Sequence, residues 1–191
     1  MFINILFAIG FAKIKGYRIA PIVKAYSLVP YLIAMVFYLY LQACIFAGNY
    51  DYLQYAPIFK TVYLYTLLLP IFVYQLYKPG ICGSILIIIG TLLNKFVISQ
   101  NGGKMPVYAT LSEITGYYNE SVFGAADSIH MIGNETTRYK FLTDYIDFGT
   151  SILSIGDVLI HSFAVIIIYY VIKKINQDLN YTKKTGRNTN D

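Results

Sequence analysis

Four polar side chains recur near the end of the chain at helical spacing: Thr150, Ser154, Asp157 and His161, separated by 4, 3 and 4 residues. At about 100° per residue they fall within roughly 60° of arc on one helix face. Most of them lie in the apolar run from Ile152 to Ile172. A carboxylate and an imidazole four residues apart on a helix can meet directly. Inside an apolar run such groups are costly unless they face protein or water. The chemistry open to them is charge neutralisation of a ligand, general acid–base work with Asp157 as base, or metal ligation. The competing reading is a helix cap, in which Ser154 or Asp157 closes an outer loop and the span begins at Val158.

A second stripe, Gly83, Gly90, Asn94 and Asn101, lies on the run before it, spaced 7, 4 and 7. Small residues let helix backbones approach, and an intramembrane Asn bonds across the contact. Plain packing is the favoured reading, with Asn94 and Asn101 expected near the level of Asp157. Asn101-Gly102-Gly103-Lys104-Met105-Pro106-Val107 follows. It reads as a tight turn at the membrane surface, or more weakly as an anion cradle with Lys104 beside it. His130 and Asp144 add a second imidazole and carboxylate. With Asp157 and His161 they make a set able to hold Zn²⁺ or a similar divalent ion, although no metalloprotease-type spacing is present. No nucleophile elbow or serine triad motif is found. The N-x-[ST] triplets at Asn119, Asn134 and Asn180 are read as chance.

The elements that must position these groups are apolar helices. Of 191 residues, 57% are hydrophobic and only 13% charged, where a soluble domain carries about 25% charged. There are 20 Tyr, 12 Phe and no Trp, so tyrosine is the interfacial anchor. A bilayer core of about 30 Å needs about 20 helical residues. Spans are expected near 2–15, 27–47, 57–77, 81–99 and 152–173. The first, Phe2 to Ala12 before Lys13, is short. It either spans by snorkelling of Lys13 and Lys15 or inserts half-way. It lacks a basic leader and a small-residue cleavage site, and is read as a retained helix. Cys44 and Cys82 fall near opposite faces, so no disulfide is expected.

The net charge of +5 reflects membrane orientation and not nucleic-acid binding. With five spans, Lys13, Lys15, Arg18, Lys24, Lys78, Lys173, Lys174, Lys183, Lys184 and Arg187 fall on one side, which the positive-inside rule makes cytoplasmic. The N-terminus is then outside and the C-terminus inside. The outer segment 100–151 carries Glu113, Glu120, Asp127, Glu135, Asp144 and Asp147 against Lys104, Arg138 and Lys140. Its length predicts organised structure. A short interfacial helix is expected over Val107 to Tyr118, ended by Asn119, and another short piece over Tyr139 to Tyr145. Residues 1–182 form one transmembrane domain, and 183–191 are expected to be a disordered cytoplasmic tail.

Three motifs in order resemble an uncharacterised bacterial membrane family, the domain of unknown function "fifty-three seventeen". They are the Asn101 to Val107 heptapeptide, His130 followed by Thr137 and Phe141-Leu142-Thr143-Asp144, and Ser154-Ile155-Gly156-Asp157-Val158-Leu159-Ile160. The short first helix followed by Lys15-Gly16-Tyr17-Arg18 is similar too. Gly16-Tyr17 stands where a double glycine is usual, and Thr143 where glycine is usual. The resemblance implies no known reaction, but it implies that the polar outer elements belong together in a bacterial cytoplasmic membrane protein.

The expectation is an all-α, membrane-spanning bundle of about five helices with an outward polar site for a small solute, an ion or a lipid headgroup. Asn94, Asn101, Lys104, His130, Asp144, Ser154, Asp157 and His161 would line it. The second reading is a membrane enzyme, metal-assisted or not, using Asp157 or Asp144 with His161 or His130 on a lipid-linked or extracytoplasmic substrate. The third is a structural subunit of a homo-oligomer or membrane complex, packed through its small-residue face. An odd span count without internal repeats argues against a stand-alone secondary transporter.

Overall fold

The computed structural model describes residues 2–49, 51–52, 55–118 and 129–185. Asn119, Glu120, Asp127, Arg187 and the rest of the tail beyond 185 lie outside the described residues. The helices are α1 (Phe2–Ile14), α2 (Val29–Phe46), α3 (Ala56–Thr66), α4 (Leu68–Val73), α5 (Tyr77–Gln100), α6 (Leu111–Ile114) and α7 (Ile155–Thr185). Among the described residues, three helices are long and apolar enough to cross a membrane: Tyr26–Phe46, Tyr77–Gln100 and Ile155–Tyr181. Two shorter apolar helical stretches, Phe2–Ile14 and Thr61–Val73, accompany them. The chain is a membrane-helical bundle whose outward apolar side chains meet lipid.

The third apolar run does not form one rod. Pro70 lacks an amide N–H, and its ring clashes with the carbonyl four residues back in a continuous helix. The helix accordingly stops at Thr66 and restarts at Leu68. Gln75, at a left-handed φ of 54°, then reverses the chain. The next helix starts earlier than hydropathy alone suggests, at Tyr77, because Pro79 is tolerated in a first turn.

The last helix, α7, is the axis of the bundle. Helix α1 lies parallel to it, with Asn4 beside His161 and Arg18 beside Asn176. Helix α5 lies antiparallel, with Gly90 against Gly156 and Gly83 against Phe163. Ala8, Ala12, Tyr31, Tyr63, Leu67, Phe163, Ala164, Ile167, Ile168 and Val171 form the shared core. With those directions, Lys13, Lys15, Arg18, Lys24, Lys78, Lys173 and Lys174 all lie toward the same end of the bundle. Helix α7 has 31 residues, about 46 Å at 1.5 Å per residue. It therefore runs beyond an apolar core of about 30 Å, and Lys183 to Thr185, expected as tail, continue it.

The segment 100–151 differs most from expectation. Instead of a helix over Val107 to Tyr118, strand β1 (Met105–Val107) pairs in parallel with β2 (His130–Ile132), and only α6 is helical. Val107 also bridges Asp144, and β3 (Ile146–Asp147) pairs antiparallel with β4 (Ile152–Leu153). The short piece expected over Tyr139 to Tyr145 is a 3-10 turn at Lys140–Leu142. Strand β1 wins over local helix propensity because β2 and Asp144, both distant in sequence, satisfy backbone groups that Pro106 prevents a helix from using. Phe96 against Tyr139 and Phe46 against Tyr117 pack this cap onto α5 and α2.

Candidate functional site

The polar stripe loses its upper half to the helix start. Helix α7 begins at Ile155, so Thr150 sits in the turn between β3 and β4 and Ser154 is the cap residue. The Ser154 backbone N–H donates to Asp157 Oδ2 at 3.3 Å, and the Asp157 N–H donates to Ser154 Oγ at 2.9 Å. This reciprocal pair is a capping box built on S-x-x-D. The carboxylate also benefits from the positive end of the helix dipole. The cap reading is the one this geometry bears out: Asp157 lies in the first turn of the long apolar helix.

Helix α5 completes the arrangement. Asn94 Nδ2 donates to Asp157 Oδ1 at 2.9 Å, and Ser154 Oγ donates to Asn94 Oδ1 at 2.9 Å. Ser154, Asp157 and Asn94 therefore form a closed ring of hydrogen bonds across the helix pair. The ring is possible only because Gly90 and Gly156 bring the two backbones together. A Cβ on Gly156 would fall 2.6 Å from the Gly90 carbonyl oxygen. Asn94 meets Asp157 by direct contact, not across an open cavity.

His161 takes part in a second cluster one turn further in. The Tyr63 hydroxyl lies 2.7 Å from His161 Nδ1, and Asn4 Nδ2 lies 3.2 Å from the same atom. An amide nitrogen can only donate, so Nδ1 accepts and the ring proton sits on Nε2. The Tyr63 ring stacks on the imidazole with centroids 5.8 Å apart. Asn4 also bonds Tyr31, whose ring meets Tyr63 edge-on at 6.1 Å. Asn4, Tyr31 and Tyr63 are almost wholly buried. Four helices, α1, α2, α3 and α7, thus each contribute a polar group to one interior cluster. Sequence reasoning missed three of these. Asn4 was legible as an amide inside an apolar run, whereas nothing marked Tyr31 and Tyr63 among the other tyrosines.

The remaining candidates lie elsewhere. His130 Nε2 approaches Asp144 Oδ2 at 3.4 Å in the cap, where Asp144 is 4% exposed. Asn101 does not turn toward Asp157. Its side chain accepts from the Arg138 N–H at 2.9 Å and donates to the carbonyls of Arg138 and Val97, stapling the cap to the end of α5. Lys104 is exposed at the glycine turn. There Gly102 and Gly103 take positive φ, and the Gly103 N–H closes the helix on Ile98 at 3.0 Å. That amide is unavailable to an anion, which favours the plain turn. Among the described residues no three His, Cys, Asp or Glu side chains gather in a metal-holding group. The candidate set therefore divides into the Asn94–Ser154–Asp157 ring, the His161 cluster and the His130–Asp144 pair.

The chain matches a protein-family model described as a family of unknown function, DUF5317, over residues 20–169. The chain belongs to DUF5317. A curated relative, an uncharacterised protein of Thermotoga maritima, is 31% identical over 108 residues, covering 54% of this chain and 59% of the relative. The chain thus spans about three fifths of the length of that relative. No solved structure matches. Membership joins the membrane helices to a bacterial family, so this DUF5317 chain is a bacterial membrane protein.

Asp147, which composition alone did not distinguish from the other outer acids, organises the cap of this DUF5317 chain. It accepts from the N–H groups of Thr110, Ser112 and Gly149 at 2.8 Å each, and from the Ser112 hydroxyl. Burial pushes its carboxyl up, but the bonds from Ser112, Thr110 and Gly149 outweigh that and hold it below the usual aspartate range. A depressed folded-state value stabilises the cap above the unfolded aspartate value of about 4, and the stabilisation fades as pH falls through the folded value. The protection factors of the Thr110 to Thr115 amides, with the intrinsic pH dependence of exchange divided out, are expected to be flat from neutral pH to about pH 5 and to fall below about pH 4. Asp147→Asn is expected to abolish that acid-induced fall, and a fall equal to the parent's would remove Asp147 as its source.

Proposed function

We propose that this chain is a small binding protein of a bacterial cytoplasmic membrane that holds a small polar solute, an ion or a lipid headgroup within the outer half of its bundle. It crosses the membrane about five times with the N-terminus outside and the C-terminus inside. The observation that carries the reading is convergence: α1, α2, α3, α5 and α7 each turn a polar side chain inward around Asp157 and His161. Ionisable groups in an apolar span are rare, are tolerated only where they face protein, water or a ligand, and mark functional sites. Asp157 supplies the charge, and Tyr63, His161 and Asn94 orient the bound group. Lys104, His130, Asp144 and Asn101 belong to the cap above it.

Support for the sidedness is electrostatic. The basic residues of α1, of the turns after it, of the start of α5 and of α7 share one end, while the outer segment is net acidic. Fluorescent-protein and phosphatase fusions at the C-terminus test this. Bright fluorescence without phosphatase activity is expected, and the reverse pattern would invert the topology.

The binding role is tested by native mass spectrometry and metal analysis of the purified protein. A bound small species is expected on the parent and absent on Asp157→Asn and Tyr63→Phe. A stable hetero-complex with no such species would favour the structural reading instead. The enzyme reading is favoured by one observation, the His130–Asp144 contact in the cap, which resembles a base and its orienting carboxylate. Turnover of an added lipid-linked substrate that disappears in Asp144→Asn would replace the binding role with that one.

A further inference from the structure

The Lys15-Gly16-Tyr17-Arg18 motif has no part in the outer site, yet the fold hydrogen-bonds its backbone to a distant helix. Asn176, 7% exposed on α7, donates to the Arg18 carbonyl and accepts from the Arg18 N–H, both at 2.9 Å. It spends its remaining bond on the Ile172 carbonyl of its own helix at 2.8 Å. Gly16 takes a left-handed φ of 75°, and the Gly16 and Tyr17 amides close the end of α1 on Lys13 and Ala12. The Tyr17 ring leans on Tyr169. The backbone of this turn is therefore fixed at both edges, while the side chains of Lys15 and Arg18 are left exposed.

Charge around the turn is lopsided. Among the described residues, Lys13, Lys15, Arg18, Lys24, Lys78, Lys173 and Lys174 gather at this end of the bundle, with Asp178 as the acid. Asp178 is taken by Lys174 at 3.1 Å, and Lys173 lies over the Tyr170 ring. Between the bases stand apolar side chains with no protein cover: Ile14 is 80% and Val23 85% exposed. A basic, rigid turn bordered by bare Ile and Val fits a headgroup at its upper edge and acyl chains below. A nucleic acid would leave those apolar groups in water.

We propose that the Lys15–Arg18 turn, set by Asn176, seats the phosphate of an anionic phospholipid. Lys15 and Arg18 contact the phosphate, Lys13 and Lys24 flank it, and Ile14 and Val23 meet its chains. Asn176 is the positioning residue. The proposal needs only a membrane at this rim, so it stands or falls apart from the outer site.

The test uses the full-length protein released from mixed bilayers of phosphatidylcholine and phosphatidylglycerol, with retained lipid read by native mass spectrometry. The parent is expected to keep phosphatidylglycerol in preference to phosphatidylcholine. Lys15→Ala and Arg18→Ala, both at exposed positions, are expected to lower that preference about fivefold for each charge removed. Lys140→Ala, exposed in the cap at the opposite end and outside the proposed binding site, leaves it unchanged. Asn176→Leu keeps every charge and frees the turn, so a weaker preference there reads positioning rather than net charge. If Asn176→Leu fails to fold, the two alanine variants still decide the matter. Retention that is equal in parent and alanine variants overturns the proposal. So does loss of the bound lipid to inorganic phosphate, because the site then takes free anion and not a headgroup.

Discussion

Gly156→Ala is expected to cost this protein about 3 kcal/mol or more, and Gly90→Ala, whose Cβ would run into the Gly156 carbonyl oxygen, a comparable amount. The Cβ added at Gly156 would press on Asn94 Oδ1 and stand 2.6 Å from the Gly90 carbonyl oxygen. Backbone cannot swing aside as a long side chain can, so α5 must move away from α7. That movement opens the Asn94–Ser154–Asp157 ring, adding lost hydrogen bonds of about 1 kcal/mol each to the overpacking. Gly10→Ala on α1 is the matched control, because a Cβ there meets nothing within 4 Å. Thermal denaturation in detergent, followed by the monodisperse fraction, distinguishes the two. The Gly156 variant should lose its folded fraction at a clearly lower temperature while the Gly10 variant tracks the parent. Equal melting of both would mean that α5 and α7 do not approach so closely.

His161→Leu is expected to cost about 2 kcal/mol and to abolish the bound species. Leucine fills the volume but removes the acceptor shared by Tyr63 and Asn4. Asn4 keeps Tyr31, so the cost falls mainly on the buried Tyr63 hydroxyl. Tyr63→Phe removes the same 2.7 Å bond from the other side. It should cost about 1 kcal/mol, because the hydroxyl is deleted along with its need for a partner. The double variant His161→Leu with Tyr63→Phe should then cost less than the sum of the singles, since no orphaned donor remains. Strict additivity in that cycle would show that the two side chains do not bond. A ligand signal surviving both changes would separate the cluster from binding while leaving its structural role intact.

The readings that succeeded share a one-dimensional cause. A bilayer core has a thickness, and a run such as Val29 to Ala47 either covers it or does not, so most apolar helices were legible by counting. The stripe of Gly83, Gly90 and Asn94 was legible for a similar reason. Small residues at helical spacing have one efficient use, and α5 packs on α7 through them. Even Asp157 was half legible, because S-x-x-D at the head of an apolar run is a capping pattern. Where that helix began was harder. Continuing the 3.6-residue period upward to Thr150 assumed helix where β3 and β4 pair instead.

What sequence alone determined was membership of a membrane family, the apolar helices, and the presence of polar residues those helices must hide. The helices and their polar residues follow from local composition or from spacing within one element, and the membership from the resemblance carried by three motifs spread along the chain. Tertiary structure alone decided which polar groups meet. Asn4 is 157 positions from His161 and Tyr63 is 98, and no periodicity within a helix records the side chain awaiting it on another. The same holds for Asn101, which reaches Arg138 rather than Asp157. A buried donor takes whichever acceptor the packed backbones bring within about 3 Å, and that choice is settled only when the helices dock.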